Sequence, residues 1–477
     1  MEKTKTKFIM YSGLYTIGGV NVAIIYGKDR VIFEMGAAYD PKNNIYDGTV
    51  EKRKKNWIRD KLRLGILPAI DGLFRREDLG DYDLQSAEES QYNTAVFITH
   101  LHLDHMAHIG TVAPEIPIYM HKKAQIIERA LEDVGQGVDT LPRKYRDLEP
   151  DKAIKVGEIE VYPILTNEDN YCDFAFLVTT PDGAIHWTGD LALHGKNAPQ
   201  NIRQMEMLKE KNVDVLLCDC TSFMDDVMEM MYSTMDAKAI LPSPDIPEGM
   251  LSDEEYEAAL FEIIEAAPQL CVFNYYNREM TEAQQFVNWA TAVGRKCVFQ
   301  PDAAYIYYRF FNEKPNVYIP DVERFTVKDK PEWLKEILAN CVLVTLDEIK
   351  ANPRAYMIQN SYECILELFD LPGEKGVYVH SGGTPIGDFD PAYANMRKLV
   401  DLAGFEYTTF FKNNYFGHGY PCQVKYFVDE INPKVLIPCH SFNPERLLPK
   451  DGVQLLPELF KVYVLQDSKL VPEEEIQ

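Results

Sequence analysis

The stretch Thr94-Ala95-Val96-Phe97-Ile98-Thr99-His100-Leu101-His102-Leu103-Asp104-His105 decides how this chain is read. Its first half is a short, almost wholly apolar run, the pattern of a strand buried on both faces. Its second half supplies three imidazoles and a carboxylate in six consecutive residues. His100 and His102 alternate, so both can point the same way from an extended or turning loop. Asp104 and His105 can turn toward a neighbouring position as a helix begins. Nitrogen and oxygen donors placed in this way suit two adjacent borderline cations. The chain has 10 histidines in 477 residues, so three within six positions is a concentration that composition does not explain. His108 reads as the surface of the helix that follows.

Two distant segments offer further ligands. Gly189-Asp190 follows the apolar strand predicted over Ile185–Thr188, where Asp190 can bridge two cations. His440 follows the strand predicted over Pro433–Pro438, in Ile437-Pro438-Cys439-His440. Strand ends on one rim are where α/β architectures gather active groups. Upstream, residues 18–34 read as strand, turn, strand around Gly27-Lys28-Asp29-Arg30. More strands are predicted at Ile159–Leu165, Phe174–Thr180 and Val213–Leu217. Ser252, with Glu255 three residues later, is a capping box that opens a helix to Ala266. Strands at Leu270–Asn274, Lys296–Gln300, Cys341–Thr345 and Gly376–His380 then alternate with helical stretches, as in an α/β unit. The acidic Glu473–Glu475 reads as a frayed end.

Composition narrows the function classes. Hydrophobic residues at 46% and charged residues at 26% describe a folded chain, neither disordered nor collagenous. No apolar run approaches the ~18 residues of a membrane span, and Met1–Met10 lacks the apolar core of a secretory signal. Nine scattered cysteines form no paired framework and read as free thiols in a reducing cytoplasm. Lys+Arg 49 against Asp+Glu 74 leaves a net charge of −25, which repels polyanions at long range. The densest basic cluster, Lys52–Lys55, reads as a solvated helix face.

His100-x-His102-x-Asp104-His105, Trp187-Thr188-Gly189-Asp190 and Ile437-Pro438-Cys439-His440 together resemble the metallo-β-lactamase fold superfamily. Thr188 to Gly195, Asp219-Cys220-Thr221, Phe273 to Asp302 and Gly417-His418-Gly419 are similar to its β-CASP branch, of the ribonuclease J-like kind. The resemblance implies an α/β fold: a four-layer αββα sandwich with an inserted smaller α/β, β-CASP-like domain. The expected division is residues 1–222 and 404–477 for the sandwich and 223–403 for the insertion. It implies two divalent metal ions, zinc foremost, with manganese or magnesium as alternatives. Asp104, His105, Asp190 and His440 would hold one; His100, His102, Asp190 and a further residue would hold the other. The family usually places a histidine before the Phe174–Thr180 strand. This chain has none between 121 and 186, and Glu168 stands at that position, with Asp169 beside it. Glu34, before Met35-Gly36, stands where the family often has Asp and reads as an outer-sphere substitution.

The expected function is metal-dependent hydrolysis, of a phosphodiester such as RNA or of a small phosphodiester, ester or lactone. The alternative is a silent scaffold that keeps part of the metal site. Asp104 is expected to be catalytic as well as a ligand, and His418 to sit near the scissile phosphate. Tyr275, Tyr276, Tyr305, Tyr307 and Tyr308 either stack bases or pack the insertion. Family members often form homodimers; no stretch here marks an interface.

Overall fold

The computed structural model describes residues 4–46, 49–138, 140–167, 173–195, 198–232, 236–409 and 415–475. Two sheets face each other across an apolar layer. The first has eight strands, in the order Lys469–Pro472, Val462–Gln466, Thr6–Ser12, Asn21–Tyr26, Asp29–Phe33, Asn93–Phe97, Ile118–His121 and Arg146–Leu148. The second has seven: Val453–Gln454, Val435–Cys439, Val215–Asp219, Gly183–Trp187, Asp173–Thr180, Ile159–Asn167 and Ile154–Val156. Period-2 alternation sends one set of side chains between the sheets, where Phe33, Phe97, Phe174, Phe176, Trp187 and Ile437 pack together. Phe33 stacks on Phe176 with ring centroids 5.2 Å apart, worth about 0.5–1.5 kcal/mol beyond area burial.

The alternate residues face outward and are buried too. Ile32, Val96 and Ile98 lie under helices carrying Ile58, Leu62, Ile127 and Leu131. Ala175, Leu177 and Leu216 lie under Met205, Leu208, Val424 and Phe427 of helices Ala198–Lys211 and Pro421–Ile431. Burial on both faces is why these strands read as continuous apolar runs. The result is the α/β, four-layer αββα sandwich of a metallo-β-lactamase fold.

A third sheet of seven strands, all parallel, builds the inserted unit from Cys271–Asn274 to Phe405–Thr409. Its last strand pairs with Gly376–His380 and so carries the inserted sheet past residue 403. At the other end, Phe223, Met228 and Ile240 pack on the sandwich rather than the insertion. The helix Asp253–Ala266 opens with the predicted capping box of Ser252 and Glu255.

Several local readings need correction. The strand Thr6–Ser12 and the hairpin Val462–Gln466/Lys469–Pro472 were not legible; they complete the first sheet by pairing with one another. Glu473–Glu475 is not a frayed end: it forms a short 3-10 turn, with Glu473 on Lys7 and Glu474 on Lys461. Lys52–Lys55 are exposed but precede the helix Trp57–Arg63. His108 is not helix surface; the helix is the single turn Leu103–Met106, and His108 beyond it is buried. Burial, reinforced by the Lys61 charge, pushes its imidazole down to about 3. Tyr275, Tyr305 and Tyr307 are buried, so packing rather than base stacking is their role. The described cysteines are free; Cys172 lies outside the described residues. No helix among the described residues is long and apolar enough to cross a membrane.

Candidate metal centre

The site sits where strands end on one rim. The 100–105 segment leaves Asn93–Phe97, Asp190 leaves Gly183–Trp187, Asp219 closes its strand, and His440 leaves Val435–Cys439. The last three strands are parallel neighbours, so their loops emerge side by side. Backbone bonds clamp the motif. Gly19 N–H donates to the Asp104 carbonyl at 2.8 Å, Met35 N–H to His105 at 2.9 Å, and Ala37 N–H to Leu103 at 3.1 Å.

Glycine makes this approach possible. A Cβ on Gly36 would lie 1.6 Å from the Asp104 carbonyl oxygen, and one on Gly18 would lie 2.2 Å from Asp104 Cβ. Gly36→Ala is therefore expected to displace the ligand loop, costing about 1–3 kcal/mol as an overpacking strain. Denaturant melts together with elemental analysis check this. A variant with wild-type stability and metal content would show that the loop does not need the close contact.

Within this frame, His100, His102 and Asp190 bring donor atoms within 4.8 Å of one another, and so do Asp104, His105 and His440. His440 Nε2 lies 3.0 Å from Asp104 Oδ2 and 3.2 Å from His105 Nε2. Asp190 Oδ1 lies 3.1 Å from His105 Nε2, and Asp190 Oδ2 lies 3.5 Å from His100 Nε2. Asp190 therefore stands between the two groups, as a bridging carboxylate would. Of the predicted ligands, Glu168 lies outside the described residues, as does Asp169.

The outer contacts orient the rings. Thr221 Oγ1 lies 2.6 Å from Asp219 Oδ1 and 2.7 Å from His440 Nδ1. With the hydroxyl proton given to Asp219, His440 Nδ1–H donates to Thr221, which leaves the Nε2 lone pair facing Asp104 and His105. His105 Nδ1 faces buried Glu34 at 3.6 Å, and Glu34 also accepts the Trp187 indole N–H at 3.0 Å. Glu34 thus stands behind the His105 ring.

His100 Nε2 is buried with no hydrogen-bond partner among the described residues, and Asp190 Oδ1 meets only the imidazoles of the cluster. Leaving such groups unpaired is costly, and a cation shared between them removes the cost. Charge points the same way. Burial alone would lower His105, but Asp190 and Asp104 raise it well above the usual imidazole range. Burial alone would raise Asp190, but His105 and the neighbouring imidazoles hold it well below the carboxylate range. The two carboxylates thus hold positive charge on His105, a charge that a divalent ion would supply in the proton's place. The donor set of imidazole nitrogens and carboxylate oxygens fits zinc or manganese.

Asp190, Asp219 and His418 also converge. Asp219 is already saturated, however. It accepts from Leu191 N–H at 3.1 Å, Thr221 N–H at 2.9 Å, the Thr221 hydroxyl and His418 Nδ1–H at 2.9 Å. It is a hydrogen-bond hub that aims His418, not a ligand. His418 Nε2 then faces Asp190 Oδ2 at 3.9 Å. Burial opposes its charge, but Asp219 and Asp190 raise it to about 9. His194 supports the same loop through Phe416 O at 3.1 Å and Gln423 at 3.0 Å. Glu279, from the inserted unit, hydrogen-bonds to His102 Nε2, and the Tyr276 ring lies 5.6 Å from that of His102. Sequence reading did not find Glu279, because no local pattern marks it.

Comparison with known proteins agrees with the fold. Residues 83–245 match the family model of the β-lactamase superfamily domain, so the chain carries such a domain. A crystal structure of a protein of unknown function from Enterococcus faecalis V583 superposes with a TM-score of 0.74 at 24% identity, covering 97% of this chain and 100% of that one. The metallo-β-lactamase fold protein YhfI from Bacillus subtilis matches at 16% identity with a TM-score of 0.27, over 46% of this chain and 72% of that chain. No curated protein matches this chain.

Proposed function

We propose that the protein is a dinuclear metal-dependent hydrolase of phosphodiesters, a nuclease of ribonuclease J-like type acting on RNA. One observation carries the reading: two His/Asp groups lie on one rim with Asp190 facing a histidine of each, His100 and His105, and His418 near the same carboxylate. Two divalent cations bound there would act as Lewis acids and lower the pKa of water toward ~7. The chain's own residues supply the rest. Asp104, beside His440 and His105, is placed to take the proton of the attacking water. His418, held by Asp219 through Nδ1–H, presents Nε2–H to the oxygen where charge develops or to the leaving group. Zinc is the foremost candidate and manganese or magnesium the alternatives. A reducing, cytoplasmic setting suits the free thiols, and a homodimer suits the family resemblance.

A second reading is favoured by charge. The net −25 and Glu279 at the site's edge repel a polyphosphate but admit a small phosphodiester, ester or lactone.

Metal-stripped protein, reconstituted with zinc or manganese, is the test. Single-stranded RNA, bis-p-nitrophenyl phosphate and a simple ester are the substrates. The expected result is metal-dependent cleavage of RNA that weakens steeply with salt. Cleavage of the small substrates alone selects the second reading. Full activity after metal removal refutes both, and protein that binds no metal is a scaffold.

A further inference from the structure

The contact between Glu279 and His102 joins residues 177 positions apart, one in the insertion and one in the metal motif. It is not a loose surface pairing. Glu279 directly follows Arg278, whose side chain is 3% exposed and bonds to fully buried Glu128 at 2.8 Å. Arg278 also donates to the Leu101 carbonyl at 3.4 Å, inside the motif, and to the Gln136 carbonyl at 3.2 Å. Asn277 adds a bond to Gln136 at 2.8 Å, and Gln136 reaches Asp302 of the insertion at 2.7 Å. The turn at Tyr276–Glu279 is thus pinned against the sandwich by the two residues that precede the carboxylate.

We propose that Glu279 is a positioning residue for the metal centre. Its carboxylate accepts the Nε2–H of His102, which leaves Nδ1 as the ring nitrogen free to ligate. A metal-binding histidine nearly always gives its other N–H to such an acceptor, which sets tautomer and ring orientation. Here the acceptor belongs to a different unit of the fold, so the His100/His102/Asp190 site is complete only when the insertion is seated. The Asp104/His105/His440 site takes its outer partners, Glu34, Thr221 and Asp219, from the sandwich alone. The two sites therefore differ in what assembles them. This inference rests on the metal-centre reading above.

The test uses the full chain, stripped of metal and titrated with Co2+, whose visible absorption reports both occupancy and ligand geometry. His440→Ala identifies the step that belongs to the sandwich-held site. Glu279→Ala is expected to weaken the other step about 10–100-fold and to change its absorption band. Glu279→Gln keeps an acceptor oxygen and is expected to recover most of the affinity. Unchanged binding in Glu279→Ala overturns the proposal. So does a loss in Glu279→Gln as deep as in Glu279→Ala, which would make Glu279 a ligand itself. Circular dichroism of both variants separates these results from unfolding. Failure of the wild-type chain to bind Co2+ would instead remove the metal-centre reading, before any substitution enters.

Discussion

Asp190→Ala should abolish metal-dependent hydrolysis, lowering kcat/KM by about 10³-fold or more, equivalent to roughly 4 kcal/mol of transition-state stabilisation. The size follows from position. Asp190 faces His100 through one oxygen and His105 through the other, so its loss strips a donor from both groups at once. It also removes one of the two carboxylates that face His418. A ligand confined to one group, such as His102, should leave the other ion in place. Elemental analysis separates the two outcomes. Asp190→Ala should retain little of either ion, whereas His102→Ala should keep about one equivalent, by the one-site arithmetic of the donor groups. Activity of Asp190→Ala close to wild type would sink the dinuclear scheme. The fold should survive, because the sandwich core lies between the sheets and does not depend on this rim.

Arg278→Met should destabilise the protein by about 3–5 kcal/mol at neutral pH. Arg278 and Glu128 are both buried, so removing the guanidinium strands a carboxylate in a site it cannot leave. The loss reports that stranded charge more than the worth of the bond. Replacing Glu128 by Met as well should therefore return most of the stability, since a pair of apolar side chains carries no desolvation cost. The pH dependence has a definite sign. Burial already pushes the Glu128 carboxyl up, and Arg278 counteracts it. Without Arg278 the folded-state value rises further above that of the unfolded chain. The folded variant then holds a proton that the unfolded chain releases, so stability is present at low pH and lost as pH rises through the folded value. The deficit of Arg278→Met should thus be smallest near pH 4 and grow toward pH 7. Denaturant titrations of the four proteins of this double-mutant cycle check it. A deficit that is flat with pH, or that is not relieved in the double variant, would show Glu128 to be solvated.

Much of the site was legible because metal chemistry concentrates unusual residues. Three histidines and an aspartate in one short segment, and Asp190 and His440 just beyond apolar strands, point to coordination by residue type alone. Strands buried on both faces were readable for the same reason: composition carries the signal without any partner being known. What escaped was set by distant packing. Thr6–Ser12 pairs with the C-terminal hairpin, far off in sequence. His108 looked exposed because helical spacing cannot tell which face a one-turn helix covers. Asp219 and Asp190 each close or follow a strand, yet one is saturated by four donors and the other faces only the imidazoles of the cluster.

By residue type and local period alone, the chain settled that it alternates strands and helices and that it concentrates nitrogen and oxygen donors at strand ends. Those properties belong to single segments, and no partner is needed to express them. Only the folded arrangement of three sheets decided that Asp219 is taken up by hydrogen bonds, which ring nitrogen His102 and His440 leave open, and that the insertion reaches His102. Those depend on where hydrogen-bond donors lie in space, and long-range packing is what puts them there.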